Sequence, residues 1–164
     1  WSLLTTWILL GNVAATYFAS AGPCYYGRMT GLADPYEPLM SYLRETDLTH
    51  SIWALRAQEL LWQHYVTRQV EVAAGISAMP SLHVAIVTLL ALLCWRTHKL
   101  LGLAMTLYAI AIMIGSVHLG WHYAIDGYLG AIGSILIWWT IGLCLRRWGA
   151  ERESVVGIAP SLVR

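Results

Sequence analysis

Long apolar stretches alternate with short polar ones along this chain. Four stretches are mainly apolar, at about residues 1–20, 80–96, 100–117 and 121–145. About 20 apolar residues are enough for a helix to span a bilayer. The pattern therefore predicts an all-α fold, a polytopic transmembrane helix bundle with about four spans.

The segment 21–79 has a different character, because it carries six of the nine acidic residues of the chain. Within it, Ile52–Val72 has the spacing of an amphipathic helix. Its apolar side is formed by Trp53, Leu60, Leu61, Tyr65 and Val66. Two placements are open for this helix: flat at the membrane interface, or packed over the mouth of the bundle.

The basic residues predict the orientation of the spans. Arg96 and Lys99 lie in one short connection, and Arg146 and Arg147 follow the last span. Such basic ends are typical of the cytoplasmic side, so segment 21–79 is expected outside. This predicts a multi-pass membrane domain over residues 1–148 and a cytoplasmic tail over 149–164. The apolar start at Trp1 suggests that further spans precede it.

Composition agrees with a membrane protein. Only 12% of the residues are charged, against about 25% in an average soluble domain. The formal net charge is +1 and the sequence has no basic patch, which argues against nucleic acid as a partner. The expected partner is the membrane itself.

Three ionisable residues, His118, His122 and Asp126, follow one another at four-residue steps. On a continuous helix they would share one face. Ionisable groups inside a membrane span usually mark a functional site. Asp126 is expected to orient the His122 ring as in a catalytic base pair, although a purely structural His–Asp pair is the alternative. Three roles are open for His118: a phosphate contact, a cap at the end of the third span, or a metal ligand with His122.

A second cluster occupies Pro80–His83. Pro80 is expected in the first turn of a helix, which would leave the amides of Ser81 and Leu82 free to bind an anion. Ser81 adds a hydroxyl, and His83 lies one turn into the helix, where it can transfer a proton. The alternative is a capped helix start with a hydrogen-bonded histidine. Arg28, just after the first span, suits either a phosphate clamp or an anchor to lipid headgroups.

The two clusters, P-S-L-H at 80–83 and H-Y-A-I-D at 122–126, resemble the type-2 phosphatidic acid phosphatase superfamily. The resemblance implies a six-helix core, of which about four spans are present here. It also implies a phosphohistidine mechanism that needs no metal or other cofactor. His122 would attack phosphorus, Asp126 would orient it, and His83 would protonate the leaving alcohol and then activate an acceptor. Ser81 and the amide of Leu82 would hold the phosphate.

Two departures from the family pattern concern the charge of the phosphate. Members usually carry an arginine six residues before the nucleophilic histidine, where this chain has Ser116. The K-x6-R-P motif is absent as well, so Arg28, Arg44 or His118 would have to replace these cations. Together with P-S-L-H in place of P-S-G-H, these departures are closest to the branch that includes inositol phosphorylceramide synthases, which transfer phosphate-containing groups between lipids.

The sequence thus favours a membrane enzyme that hydrolyses or transfers a phosphate-containing group of a lipid on the non-cytoplasmic side. One alternative is a zinc-dependent intramembrane hydrolase of the ceramidase kind, with ligands from His83, His118, His122 and Asp126. Another is a non-catalytic lipid-binding membrane protein. The identity of the lipid, the acceptor and the oligomeric state are left open.

Overall fold

The computed structural model describes residues 1–67 and 77–156. Its regular structure is entirely helical in these ranges, which confirms the all-α prediction. In chain order the elements are α1 (Ser2–Thr6), a π-helical stretch (Trp7–Ala14), α2 (Ala15–Tyr17), a 3₁₀ turn (Pro23–Tyr25), α3 (Tyr26–Thr30), α4 (Glu37–Asp47), α5 (Trp53–Thr67), α6 (Leu82–Thr97), α7 (Lys99–His118) and α8 (Ala124–Val156).

Helix α6 is the centre of the packing. It lies against both α7 and α8 and also contacts α1. The α6–α7 hairpin turns at His98, whose extended backbone (φ −154°, ψ 126°) separates the two helices. The helices then approach closely, since a Cβ atom on Gly102 would lie 2.5 Å from the Trp95 ring. The Trp95 indole also donates a hydrogen bond to the Thr106 hydroxyl at 3.0 Å.

Two helices are long and apolar enough to cross a membrane: Lys99–His118 and Ala124–Gly149. Gly102 is the one buried residue of α7, all of which the structure describes, and the large apolar side chains of α7 and α8 are mostly exposed. The helix Leu82–Thr97 is apolar but has 16 residues. Length and composition therefore support two of the four predicted spans.

Two helix starts and a helix end differ from the prediction. Helix α6 begins at Leu82, so Pro80 precedes the helix and does not lie in its first turn. The region 115–130 is not one helix, because Gly120 adopts the left-handed conformation (φ +72°) that ends α7 and that glycine favours. Helix α8 then starts at Ala124 and continues past Leu145, since the charged residues that follow the span are good helix formers.

Helix α5 covers most of the predicted amphipathic helix; residues 68–72 of that prediction lie outside the described residues. The helix packs on the bundle through a polar side chain, that of Gln58, which is 5% exposed. The apolar side chains of Trp53, Leu60 and Tyr65 are exposed. These apolar side chains of α5 are thus not buried against the bundle, and the choice between the two predicted placements stays a prediction.

Candidate active site

Two histidines from different elements lie beside each other at one end of the bundle. His83 is in the first turn of α6, and His122 is in the connection between α7 and α8. Their ring centroids are 6.5 Å apart, with an angle of 62° between the ring planes. His83 is exposed, whereas the side chain of His122 is 12% exposed. The two sequence clusters therefore meet, with one histidine accessible and the other largely enclosed.

The hydrogen bond of His122 defines its tautomer. The Nδ1 atom lies 2.7 Å from the main-chain oxygen of Ala78. A carbonyl oxygen only accepts hydrogen bonds, so Nδ1 must carry the hydrogen and donate it. In the neutral ring the lone pair is then on Nε2. The amide of Ala78 itself donates to the main-chain oxygen of Ser20 at 2.7 Å, which anchors this residue to the end of the first apolar stretch.

Asp126 does not accept this hydrogen bond, contrary to the expectation from the four-residue spacing. Its Oδ2 atom is 3.8 Å from His122 Nδ1 and accepts a hydrogen bond from the amide of Tyr123 at 2.8 Å. The reason is that His122 lies before the start of α8, so helical i, i+4 geometry does not apply to the pair. The carboxylate, 1% exposed, acts on His122 by its charge and by holding the turn at Tyr123.

Of the two amides that were expected to be free at the start of α6, one remains so. The amide of Ser81 donates to the main-chain oxygen of Asp126 at 2.9 Å, so it is not free. Leu82 is the first helical residue, and its amide has no partner within the helix. The Ser81 hydroxyl is fully buried and has no hydrogen-bond partner among the described residues. Buried polar atoms are usually hydrogen-bonded, so this hydroxyl, together with the Leu82 amide, is available to bind a ligand.

The main-chain bond between Ser81 and Asp126 requires a close approach of α6 and α8. A Cβ atom on Gly130 would lie 2.4 Å from the oxygen of Ser81. That neighbour is backbone and cannot move aside as a flexible side chain would. The glycine thus lets α8 pass directly against the residue that begins α6.

His118 is placed apart from the histidine pair. It is the last residue of α7, it is exposed, and its ring contacts that of Tyr42 edge-on at a centroid distance of 6.3 Å. The predicted column of His118, His122 and Asp126 on one helix face is therefore wrong. The break at Gly120 turns the chain between the first member and the other two.

The two arginines considered for the phosphate are already paired with carboxylates. Arg28 forms an ion pair with Glu59 at 2.7 Å and lies over the Trp62 ring, 5.3 Å from its centroid. Arg44 pairs with Glu37. Both arginines line a cavity of about 280 Å³ in the segment 21–79, called the outer segment below after its predicted side. The other lining residues are Cys24, Tyr25, Gly27, Asp34, Glu37, Met40, Leu55, Gln58 and Glu59. Neither histidine of the pair lines this cavity.

Sequence reasoning missed the main-chain groups of the site. Ala78 provides the acceptor for His122, and Ser116 accepts hydrogen bonds from the amides of Trp121 and His122 at 3.0 and 3.3 Å. Ser116 occupies the position where an arginine was expected, and here it supports the turn through its carbonyl. Because every residue has such a carbonyl, no residue type signals these roles.

The zinc site considered as an alternative is not assembled. Within residues 1–67 and 77–149, no three His, Cys, Asp or Glu side chains are grouped closely enough to hold a metal ion. His118, which ends α7 and contacts the Tyr42 ring, is placed apart from the other three ligands that this alternative needs.

Burial lowers the pKa of His122 below its usual value of 6.5. The bond to Ala78 and the charge of Asp126 oppose this shift, while His83 adds to it. Burial dominates, because it disfavours the charged imidazolium. His122 is therefore neutral at pH 7, with its lone pair available on Nε2.

We expect a direct titration of His122 to give an apparent pKa below 6.5. The measurement is a pH series of histidine NMR spectra on the purified protein, with the His122 resonances assigned from their loss in His122→Gln. Since the unfolded chain takes up this proton first as the pH falls, the free energy of unfolding should also decrease below about pH 6.5. An apparent pKa above 6.5 would contradict the role given to burial.

Comparison with known proteins gives one match. A family model described as the PAP2 superfamily matches residues 1–140. Searches of curated proteins and of solved structures returned no match. The family match confirms the resemblance drawn from the two motifs at the level of the superfamily and does not reach the choice of branch.

Proposed function

The chain belongs to the PAP2 superfamily, and we propose that it is an integral membrane enzyme that hydrolyses or transfers a phosphate-containing group of a lipid through a phosphohistidine intermediate. Membership by itself indicates a phosphatase or phosphotransferase. The lipid substrate, the intermediate and independence from metals are the parts that we propose.

The observation that carries the mechanism is the hydrogen bond from His122 Nδ1 to the oxygen of Ala78. It leaves Nε2 as the nucleophile in a neutral ring. In the first step Nε2 bonds to phosphorus while the bond from phosphorus to the leaving oxygen breaks. His83, as imidazolium, gives its proton to that oxygen, so the alcohol leaves neutral.

The second step reverses these roles. Neutral His83 takes a proton from water or from an acceptor hydroxyl, whose oxygen attacks phosphorus. The phosphorus–nitrogen bond breaks and its electron pair returns to Nε2 of His122. The charge of Asp126, whose Oδ2 is 3.8 Å from Nδ1, stabilises the positive charge on the ring while phosphorus is attached.

The phosphate is held mainly at the start of α6 in this proposal. The Leu82 amide, the Ser81 hydroxyl and the positive end of the α6 dipole stabilise an anion there. Protonated His83 adds a positive charge. We give Arg28 and His118 at most a secondary part, because their described contacts are with Glu59, Trp62 and Tyr42.

A lipid substrate is supported by the surroundings of the site. Two helices are long and apolar enough to cross a membrane, and both end or begin next to the turn that holds His122. The exposed apolar side of α5 would lie at the level of the lipid headgroups. We propose a multi-pass protein whose site opens on the non-cytoplasmic side, as the basic ends of the spans predict.

The test is to incubate the purified protein in vesicles with lipids that carry labelled phosphate, with and without an alcohol-bearing lipid acceptor. We expect labelled phosphate to appear in water or on the acceptor, in the presence of a metal chelator and with inhibition by vanadate. The partition of the label distinguishes hydrolysis from transfer, and with it the phosphatase and phosphotransferase branches. Loss of activity in chelator with recovery on adding zinc would reject this mechanism in favour of the metal hydrolase.

A further inference from the structure

A buried glutamine links the outer segment to the connection that carries His122. Gln58 on α5 is 5% exposed. Its side-chain amide Nε2 donates to the main-chain oxygen of Leu119 at 2.8 Å. Its own main-chain oxygen accepts a hydrogen bond from the Tyr25 hydroxyl at 3.0 Å. A polar side chain buried in this way is held in one geometry, because its hydrogen bond would be lost on rotation.

The bonded residue is three positions before His122, in the turn that ends α7. The next carbonyl, that of Gly120, accepts a hydrogen bond from the amide of Cys24 at 2.9 Å. A third contact is steric, since a Cβ atom on Gly22 would lie 2.1 Å from the oxygen of Trp121. The outer segment therefore contacts every residue between α7 and His122.

Among these three contacts, the one from Gln58 is made by a side-chain hydrogen bond. The contacts of Cys24 and Gly22 use main-chain atoms or the absence of a side chain. The turn therefore depends on the side chain of Gln58, because its amide is the group that reaches the Leu119 carbonyl and donates to it. Alanine or leucine at this position would leave the Leu119 carbonyl without its buried donor.

A shift of this turn would change the orientation of the nucleophile. The His122 ring is aligned by its bond to Ala78, which lies 44 residues away in a separate segment of the chain. That bond keeps its length only if the turn stays in place. A displacement of about 1 Å at a reacting group can cost about 10²-fold in rate.

We propose that Gln58 is a positioning residue for His122, through which the outer segment sets the orientation of the nucleophilic ring. This inference rests on the proposed function for its catalytic consequence. It assigns α5 a part in the reaction, which α5 plays through the turn at Leu119.

The test compares Gln58→Leu and Gln58→Glu with Gln63→Leu, a matched change on the same helix at an exposed glutamine whose amide bonds to Glu59. We expect Gln58→Leu to lower kcat by about 10²-fold with little change in KM for the lipid. Gln63→Leu should keep the wild-type kcat. A position that serves stability alone would lower the yield of folded protein without this split between kcat and KM.

Gln58→Glu gives the sharper result, because its carboxylate repels the Leu119 carbonyl while its protonated form can donate to it. The activity of this variant relative to wild type at the same pH should therefore rise on acidification. The ionisable groups that share the cavity with residue 58 are Cys24, Tyr25, Arg28, Asp34, Glu37, Arg44 and Glu59. They are present in both proteins, so the ratio isolates the new carboxyl group.

A readout independent of activity completes the experiment. NMR spectra of His122 should show the Nδ1–H tautomer in wild type and Gln63→Leu and a changed signal in Gln58→Glu at neutral pH. Unchanged His122 resonances together with full kcat in the Gln58 variants would overturn the proposal. If the wild-type protein neither hydrolysed nor transferred labelled phosphate from the lipids, the proposed function would fail, and the spectra would still decide the role of Gln58.

Discussion

Replacing His122 with alanine should reduce phosphoryl transfer by a factor on the order of 10⁶, the scale seen when the nucleophile of a covalent mechanism is removed. No other described group can take over the role of Nε2, because His83, whose ring centroid is 6.5 Å away, is needed to move the proton. The measurement is the initial rate with a labelled lipid phosphate in vesicles.

The control for this variant is His118→Ala, which removes an exposed histidine from the end of α7. We expect near wild-type rates from it. The protein should also be quenched during turnover and analysed for phosphate bound to histidine, which is stable to base and labile to acid. A phosphorylated protein in His122→Ala, or a rate within tenfold of wild type, would show that another residue is the nucleophile.

Replacing His83 with glutamine should lower the rate by about 10²- to 10⁴-fold, the usual contribution of a general acid or base. The loss should depend on the leaving group. The alcohol of an alkyl phosphate needs a proton on its oxygen in order to leave. The nitrophenol of a nitrophenyl phosphate is far more acidic and leaves as the nitrophenolate ion. The first step should therefore recover with the nitrophenyl substrate, and phosphohistidine should accumulate because His83 is also needed to activate water.

The comparison for this prediction is His98→Gln, at the opposite end of α6 in the connection to α7. It should behave as wild type with both substrates. Equal losses with alkyl and nitrophenyl phosphates in His83→Gln, without accumulation of phosphohistidine, would contradict proton transfer by His83 and leave it a part in binding alone.

The sequence predicted the features that depend on residue type and spacing. Helix-forming apolar stretches gave the all-α fold and the α6–α7 hairpin, and the two histidine clusters pointed to one site. The spacing argument failed at His122 and Asp126, because it assumes a continuous helix and Gly120 breaks that helix with a left-handed residue. A glycine inside an apolar stretch is compatible with both outcomes, so the break could not be read from the pattern.

The polar partners were harder to predict because they depend on tertiary contacts. Arg28 and Glu59 are 31 residues apart, and nothing in their local sequence selects one for the other. The cations expected at the phosphate are instead paired within the outer segment. Gln58 was assigned to no role for the same reason, since its partner Leu119 lies 61 residues away.

The main-chain acceptor of His122 also affects how mutational data on this protein should be interpreted. The group that selects the tautomer of His122 is the carbonyl of Ala78, and every amino acid encoded at position 78 supplies the same atom. Because Ala78 is 3% exposed, substitutions there will be ranked by size, as at any tightly packed position. A library of point variants will therefore record how side-chain size is tolerated at residue 78. The contribution of its carbonyl to the tautomer of His122 will appear only when the backbone itself is altered, for example by an ester in place of the amide between Ala78 and Met79, which weakens that carbonyl as a hydrogen-bond acceptor.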